Sequence, residues 1–509
     1  MRGLVSGVGR GGGRLHQEFV HGLADEPPLE RVRDVQPWSP EQPALYELEL
    51  ELRDPTGKRG DRVTSYVAFR TVSIADGRWC LNGEPYFLRG VLDQGYWPES
   101  GLTAPSDAAL RHDVQLVKDL GLNLARKHVK VEDARWYSWC DRLGVLVMQD
   151  MPSSMNLATE AARAGFKREL EAMVRQLQAS PAVVHWVVFN EDWGRPGAFQ
   201  DECVQRVRQL DPTRPVTDAS GWTQRENTDV TDVHDYGADL LRHAEAKPLR
   251  PKLLGECGGV AFSREGHVWT KGWGYTQAAT PASFLRRVQR LAHQAVTCRG
   301  LSGFVWTQLT DVEQELNGFV HYDRSEKVPL AELAKMLSGN EPLPERISPA
   351  QWRCFGPFDG GTRIADSQDS EANRKALETL LGRSFAPEAV LLAPGPAEAL
   401  PGGKVATPRA HGVDLLTVFG GAPANCAAYA AGTVRVAQPR SMRLLFGSDD
   451  AAEVWINGKS VHRQIRVRGA RLGDDEVPAV ALVAGDNQIV VKVAQGMFGF
   501  GFALCFEAE

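Results

Sequence analysis

The chain has 509 residues, enough for two or three domains, and its 43% apolar and 24% charged residues are the proportions of an ordinary globular protein. A formal net charge of −6 and a pI near 6.1 give no support for nucleic acid as a partner, and no run approaches the ~20 apolar residues of a membrane-spanning helix. The eight cysteines at 80, 140, 203, 257, 298, 354, 426 and 505 form no CxxC and no short repeat, which excludes a zinc ribbon and argues against a disulfide framework. Neither a metal nor another cofactor is expected.

Residues 1–34 are rich in Gly and Arg, show no periodicity, and are expected to be poorly ordered. They contain no apolar core of the length a signal peptide needs, which leaves export open. Tyr46, Leu48, Leu50 and Leu52 then alternate with charged residues, a half-buried strand by period two. A turn at DPTGKRGD leads to a second strand, VTSYVAFRTVSI. Two strands with one apolar face need a partner sheet, so residues 35–76 read as part of a β-sandwich.

From about residue 77 strands and helices alternate. Eight candidate strands fall at 86–93, 123–128, 145–150, 183–190, 216–219, 230–236, 252–256 and 303–308. Ser106 is a good N-cap for a helix striped with Leu110, Val114, Val117 and Leu120 and closed by Gly121. Asp133 opens another, closed by Gly144, and Phe284, Val288 and Leu291 stripe a third. Eight such units are the size of a closed (β/α)8 barrel spanning 77–340. A doubly wound sheet is the rival, but no GxGxxG follows the first strand. The Pro-rich NEPLPERISPAQ reads as a linker, and 341–509 as a C-terminal β-sandwich with one helical segment, EANRKALETLLG, and a hairpin turn at Asn457-Gly458.

Two glutamates end apolar strands of this barrel, Glu191 in VVFNEDWG and Glu256 in LLGECGG, 65 residues apart. Both therefore belong on the rim where the strands' C-terminal ends face one pocket. Two carboxyl groups across one pocket are the minimum equipment for cutting a glycosidic bond. So close a pair disfavours double ionisation, so one carboxyl is expected to hold its proton at rest.

The segments WSPEQPALYELEL, FRTVSI, LNGEPYFLRGV, DVQLVKDLGLNLARKHV, CDRLGVLVMQDMP, SPAVVHWVVFNEDWG, HDYG, GECGG and GFVWTQLTDVEQELNGFVHYDR occur in this order. Over residues 36–335 they resemble glycoside hydrolase family 2. The resemblance implies a multidomain fold: a central (β/α)8 TIM barrel, a partial immunoglobulin-like β-sandwich before it and a β-sandwich after it. Members normally carry a sugar-binding jelly-roll domain ahead of the immunoglobulin-like one, and none fits in 34 residues, so that domain is expected to be missing.

By the same resemblance Glu191 is the general acid/base and Glu256 the nucleophile of a retaining mechanism. Asn190 is expected to bond the hydroxyl beside the anomeric carbon, Tyr236 to bond the nucleophile with His234 nearby, and Arg126 to orient the nucleophile. The family shows Arg-x-x-His where this chain has Arg126, Lys127 and His128, a departure of one residue that weakens the carry-over to His128. Asp93 and Asp150 are candidate sugar-hydroxyl acceptors, with a loop-capping role as the alternative. Trp306 is expected to offer a ring face to the sugar. Trp193 and Trp222 are candidate subsite walls, together with Asp192 and Gly194.

In the C-terminal region GSDDAAEVWINGK is similar to carbohydrate-binding modules in which paired aspartates sometimes hold calcium. Asp449 and Asp450 read more simply as turn residues. The expected activity is a retaining exo-β-glycosidase acting on an oligosaccharide or glycoside, β-galactosidase first. β-Glucuronidase, β-mannosidase and arabinosidase are alternatives, the first because Arg126, Lys127 and Lys130 offer positive charge to a uronate. A non-catalytic carbohydrate-binding protein is the alternative of another class. The exposed half-sandwich invites a partner, so a homo-oligomer is possible.

Overall fold

The structure, a computed structural model, describes residues 2–8, 14–20, 32, 34–54, 56–153, 156–193, 197–267, 272–361, 368–393 and 402–508. The chain divides into two compact units, Met1–Glu341 and Pro342–Glu509.

The first unit begins with a four-stranded antiparallel sheet in the order Arg14–Val20, Arg2–Val8, Tyr46–Arg53, Arg59–Val67. Two strands therefore lie within residues 1–34, where none was expected. They lengthen the sheet of the two strands after residue 45, Arg2–Val8 pairing antiparallel with Tyr46–Arg53, instead of forming a separate partner sheet. RGLVSGV and RLHQEFV carry too few alternating apolar residues to register as strands. Tyr46 is fully buried against Val67 and Phe69.

Eight parallel strands follow, numbered here as barrel strands: β1 Leu88–Asp93, β2 Leu124–Lys127, β3 Leu146–Asp150, β4 Val183–Phe189, β5 Val216–Ala219, β6 Thr231–Asp235, β7 Lys252–Gly258 and β8 Leu301–Thr307. Each pairs with its neighbour and β8 returns to β1. The one step without a ladder, β5 to β6, is spanned by the Gly221 N–H donating to Asp232 Oδ1 at 3.2 Å. Strand β4 is buried along its whole length, as expected of a strand covered on both faces.

The surrounding helices start and stop where their residues dictate. Ser106 caps α1 (Asp107–Asp119) by accepting from the Ala109 N–H at 3.1 Å. Asp133 caps α2 (Ala134–Leu143), and Gly144 ends it in the left-handed conformation at φ 74°. The pattern departs from eight regular units around β5 and β6. No helix separates those two strands, and a single 3-10 turn, Leu240–His243, stands between β6 and β7.

The second unit is a β-sandwich. One sheet holds Arg346–Ile347, Gly501–Glu507, Arg440–Asp449 and Asp475–Leu482, with Gly412–Asp414 beside Gly501–Glu507. The other runs Lys404–Ala406, Trp352–Asp359, Cys426–Val436, Gly485–Gln495, Ala451–Ile456, Lys459–Gln464. Asn457 (φ 49°) and Gly458 (φ 78°) join its last two strands, both left-handed as the primed hairpin turn requires. Phe446, Val491, Val493, Phe502 and Leu504 fill the space between the sheets. The expected helix forms at Glu371–Gly382 under a Ser370 cap. All eight cysteines are buried, and none forms a disulfide.

Candidate active site

The C-terminal ends of β2 to β8 bring most of the named polar residues to one place. Glu191 follows β4 with φ 50° and Asp192 with φ 60°. Two successive left-handed residues that are not glycine are costly, and they turn the chain so that Glu191 faces the barrel mouth. Glu256 lies within β7. One carboxylate oxygen of Glu191, one of Glu256 and a ring nitrogen of His234 lie within 4.8 Å of one another. The Glu191 side chain is 23% exposed and that of Glu256 only 7%, so Glu191 faces the opening and Glu256 the floor.

Arg126, at 0% exposure, organises the floor. Its guanidinium binds Asp150 through Nε and Nη2, both at 3.0 Å. Nη2 also donates to Asn190 Oδ1 at 2.9 Å and Ser220 Oγ at 3.1 Å. Nη1 donates to the Gly255 carbonyl at 3.0 Å and Glu256 Oε1 at 3.3 Å. Burial alone would drive Asp150 toward its neutral form, but the charge of Arg126 holds its carboxyl below the usual range. Asn190 Oδ1 is taken by Arg126 and by Ser220 Oγ at 2.8 Å. The Asn190 Nδ2 donors have no bond within the described residues and are available to a ligand.

Tyr236 donates its hydroxyl to Glu256 Oε2 and meets Thr307 Oγ1 at 3.1 Å. Burial and then the neighbouring carboxylate push the phenol well above its ordinary range, so it remains a donor. Tyr236 stacks on Tyr275, with ring centroids 3.4 Å apart. The glycines after Glu256 permit this packing. A Cβ at Gly258 would meet the Trp306 ring at 2.5 Å, and one at Gly259 would meet Tyr275 at 2.5 Å.

His234 bridges the carboxylates: Nδ1 lies 2.6 Å from Glu191 Oε1 and 3.5 Å from Glu256 Oε2, and Nε2 lies 3.4 Å from Asp232 Oδ1. Burial disfavours its charged form. The Glu256 charge and the bonds to Asp232 and Glu191 outweigh burial and carry His234 up to about 9. Glu191 responds in the opposite direction. Burial would raise it, but the bond from His234 and the charges of His234, Arg126 and His128 leave it lowered. Both shifts favour His234 over Glu191 as the holder of the shared proton, against the expectation of a carboxyl protonated at rest. Period two along β6 puts Asp232, His234 and Tyr236 on one face, a signal from which Asp232 was readable.

Other named residues take different places. Asp93 is buried, pairs with Lys127 Nζ at 2.7 Å and accepts the Gly95 N–H at 2.9 Å; Asp150 is held by Arg126 and by His128 Nδ1 at 3.0 Å. Neither is a free sugar acceptor, because each compensates a buried cation. Trp306 is 1% exposed and stacks on Phe319 at 5.3 Å. The Thr307 hydroxyl meets Tyr236 in the site, so strand alternation turns Trp306 away from it. It is a packing residue and not the expected platform.

Trp222 is 65% exposed, with its ring centroid 5.6 Å from that of His234, and half-buried Trp193 has its ring centroid 6.1 Å from that of His128. Gly194 lies outside the described residues. Lys127 is shared between Asp93 and Glu132, at 2.7 and 3.2 Å. Lys130 reaches Glu132 at 2.7 Å and the carbonyls of Gly95 and Leu102 at 2.7 and 2.6 Å. With Arg126 also committed, the basic residues expected to meet a uronate are already paired.

Among the described residues, Glu191, His234 and Glu256 form the group whose donor atoms could gather around a metal ion. Arg126, beside Glu256, already supplies the countercharge a cation would bring. Asp449 and Asp450 belong to no such group. Asp450 uses both oxygens on the N–H groups of Arg468 (2.9 Å) and Gly496 (2.8 Å). Burial, then the charge of Asp450, pushes Asp449 up to about 7.

Residues 72–239 match the model for the family 2 glycosyl hydrolase TIM barrel domain and residues 14–70 that for glycosyl hydrolases family 2. β-Galactosidase 2 of Enterobacter cloacae is 29% identical over 201 residues, 38% of this chain and 19% of the relative. The β-galactosidase of Photobacterium profundum is 29% identical over 210 residues, 40% of this chain and 20% of the relative. The match thus spans about a fifth of these relatives. Among solved structures, a galacturonate-bound family 2 β-galacturonidase of Eisenbergiella tayi has a TM-score of 0.52 at 19% identity, covering 67% of both chains. A β-glucuronidase of Parabacteroides merdae has a TM-score of 0.54 at 14% identity, covering 99% of this chain and 72% of its own. At those identities the likeness is one of fold.

Proposed function

We propose that this chain, whose residues 14–70 and 72–239 match the models of glycosyl hydrolase family 2, is a retaining exo-β-glycosidase of neutral hexosides, with β-galactosides as its first substrates. The observation that carries this reading is the approach of Glu191 and Glu256 to within 4.8 Å. That is the short class of separation, about 5–5.5 Å between carboxyls, that leaves no room for a water between sugar and base. The sequence relatives named β-galactosidases support the sugar.

Glu256, aimed by Arg126 and Tyr236, attacks the anomeric carbon while Glu191 protonates the departing glycosidic oxygen. The C–O bond to the aglycone breaks and a glycosyl ester of Glu256 forms. Glu191 then takes a proton from water, which attacks the same carbon and releases Glu256, with retained configuration. The proton for the first step comes from the His234–Glu191 pair. A bound sugar excludes water, and a dry site favours the neutral pair over the ion pair. The proton then moves from Nδ1 to the carboxyl as the pocket fills. The Asn190 amide is free to bond the hydroxyl beside the anomeric carbon, a contact that strengthens as positive charge develops.

A uronidase reading draws on the fold neighbours alone, while the paired state of Arg126, Lys127 and Lys130 weighs against it. The test is hydrolysis of nitrophenyl β-galactoside, β-glucuronide and β-mannoside by wild type and Glu256→Gln. The reading expects the galactoside to be cleaved fastest and the variant to lose roughly 10⁴-fold or more. Inactivity on all three, or an unimpaired variant, contradicts it.

A further inference from the structure

A third acid reaches this pocket and has no part in the double displacement. Glu315 lies in the segment after β8, held where the Trp273 N–H donates to the Gln314 carbonyl and the Leu316 N–H to the Trp273 carbonyl, both at 2.8 Å. Its position is fixed by a chain of side-chain amides across the barrel rim. Gln94 Nε2, just past β1, donates to Gln308 Oε1 at 2.7 Å. Gln308 Nε2 donates to Asn317 Oδ1 at 3.0 Å, and Asn317 Nδ2 to Glu315 Oε1 at 3.1 Å. Gln308 and Asn317 are 1% and 0% exposed. Every link points the same way, so the relay ends on an acceptor-only group, which the Gln94 amide also approaches.

Trp273, the bridge partner of Glu315, packs edge-on against Tyr275 with ring centroids 5.6 Å apart, and Tyr275 stacks on Tyr236, so Glu315 lies on the same rim as the Tyr236–Glu256 pair. Burial and the charge of Glu256 push its carboxyl up, while Asn317, Gln94 and the charge of His128 act against them. Tyr275, stacked on Tyr236, is raised first by burial and also by Glu256, Glu315 and Glu191 together. His128, which uses Nδ1 on Asp150, is the other titratable side chain facing this corner, and its Nε2 has no bond within the described residues.

We propose that Glu315 is the specificity-determining carboxylate of the sugar pocket, accepting a bond from a ring-substituent hydroxyl and excluding sugars that carry a carboxylate in its place. This rests on the glycosidase reading for its catalytic consequence but not for its binding one. A uronate would set a further negative charge near Glu256 and Glu315. Arg126, Lys127 and Lys130, the cations that would offset it, are already paired, and an unpaired buried charge is expensive. A site built around one hydroxyl bond also rejects ligands that cannot make it, because its own polar group is left unsatisfied.

The experiment is titration calorimetry of Glu256→Gln protein, with and without Glu315→Gln, against galactose and galacturonate, beside nitrophenyl galactoside and galacturonide kinetics of wild type and Glu315→Gln. Galactose should bind at least about 10²-fold tighter than galacturonate. Glu315→Gln keeps volume but removes charge, and should narrow that gap, and the ratio of kcat/KM values, by about 10-fold or more. Equal binding of the two sugars, or an unchanged gap in a variant that melts like its parent, overturns the proposal. Absence of turnover with the binding preference intact would instead count against the glycosidase reading and leave Glu315 in its role.

Discussion

The barrel and the C-terminal sandwich both bury charged side chains, yet they arrange them differently. In the sandwich each buried charge is settled locally. Lys492 meets Glu388 at 2.9 Å and the Arg383 carbonyl at 2.8 Å, Arg346 meets Glu507 at 2.9 Å, and Asp450 is satisfied by two backbone N–H groups. In the barrel a single guanidinium on β2 touches groups from β3, from the residues ending β4 and β5, and from β7: Asp150, Asn190, Ser220, Gly255 and Glu256. It also lies 3.4 Å from His234 on β6. Closing a parallel sheet brings every strand's C-terminal end to one opening, so side chains remote in sequence converge there. A sandwich disperses its strand ends and has no such focus. Buried charge in one unit fixes a fold; in the other it also assembles a reactive site.

That contrast can be broken or sharpened by substitution. The largest effect after that of Glu256→Gln is expected at Glu191, the proposed acid/base. Glu191→Ala should cost ~10²–10⁴-fold in kcat on substrates with poor leaving groups, and added azide should restore turnover of activated aryl glycosides through a glycosyl azide. No rescue by azide would remove Glu191 from that role. Next comes the hub. Arg126→Lys cannot reproduce the fork to Asp150, and breaking so buried a pair should cost ~3–5 kcal/mol of stability along with most of the activity. A denaturation midpoint unchanged from wild type would mean that the network is not coupled.

The proton on His234 predicts a pH dependence of defined sign. A group raised from 6.5 to about 9 stabilises the fold fully below pH 6.5, and that stability is lost as pH rises through about 9. The groups facing it are Glu191, Glu256, Asp232 and Arg126. Unfolding curves should show a loss of up to about 3 kcal/mol across that window, and kcat/KM an alkaline limb that His234→Gln displaces. A pH-independent stability between 6.5 and 9 would place the proton elsewhere. The smallest effect belongs to the sandwich: Asp450→Asn should cost about 1–3 kcal/mol of stability and leave kcat unchanged. A fall in kcat would contradict the division of labour between the units.

The barrel was legible because its strands are short apolar runs ending in polar residues, and the positions of Glu191 and Glu256 followed from that alone. Alternation along β6 likewise pairs His234 with Tyr236. What escaped the sequence is of three kinds. The strand at 2–8 is masked by its two glycines, which have no side chain to show a period, and that at 14–20 by the polar run His16-Gln17-Glu18. Pairing hid the roles of Asp93 and Asp150, since an acid reads the same whether it meets a sugar or a buried cation such as Lys127 or Arg126. Ser220, Tyr275 and Glu315 stand in short irregular segments whose neighbours are set only by closure of the barrel. Trp306 was misjudged for a simpler reason: its neighbour Thr307 takes the inward position.

The most direct test of the account is covalent capture. Wild-type protein incubated with an activated 2-deoxy-2-fluoro-β-galactoside, digested and mapped by mass spectrometry, should carry one fluoroglycosyl ester, on the peptide containing Glu256. An adduct on Glu191 or Glu315, or turnover of the parent galactoside with no adduct at Glu256, would contradict it.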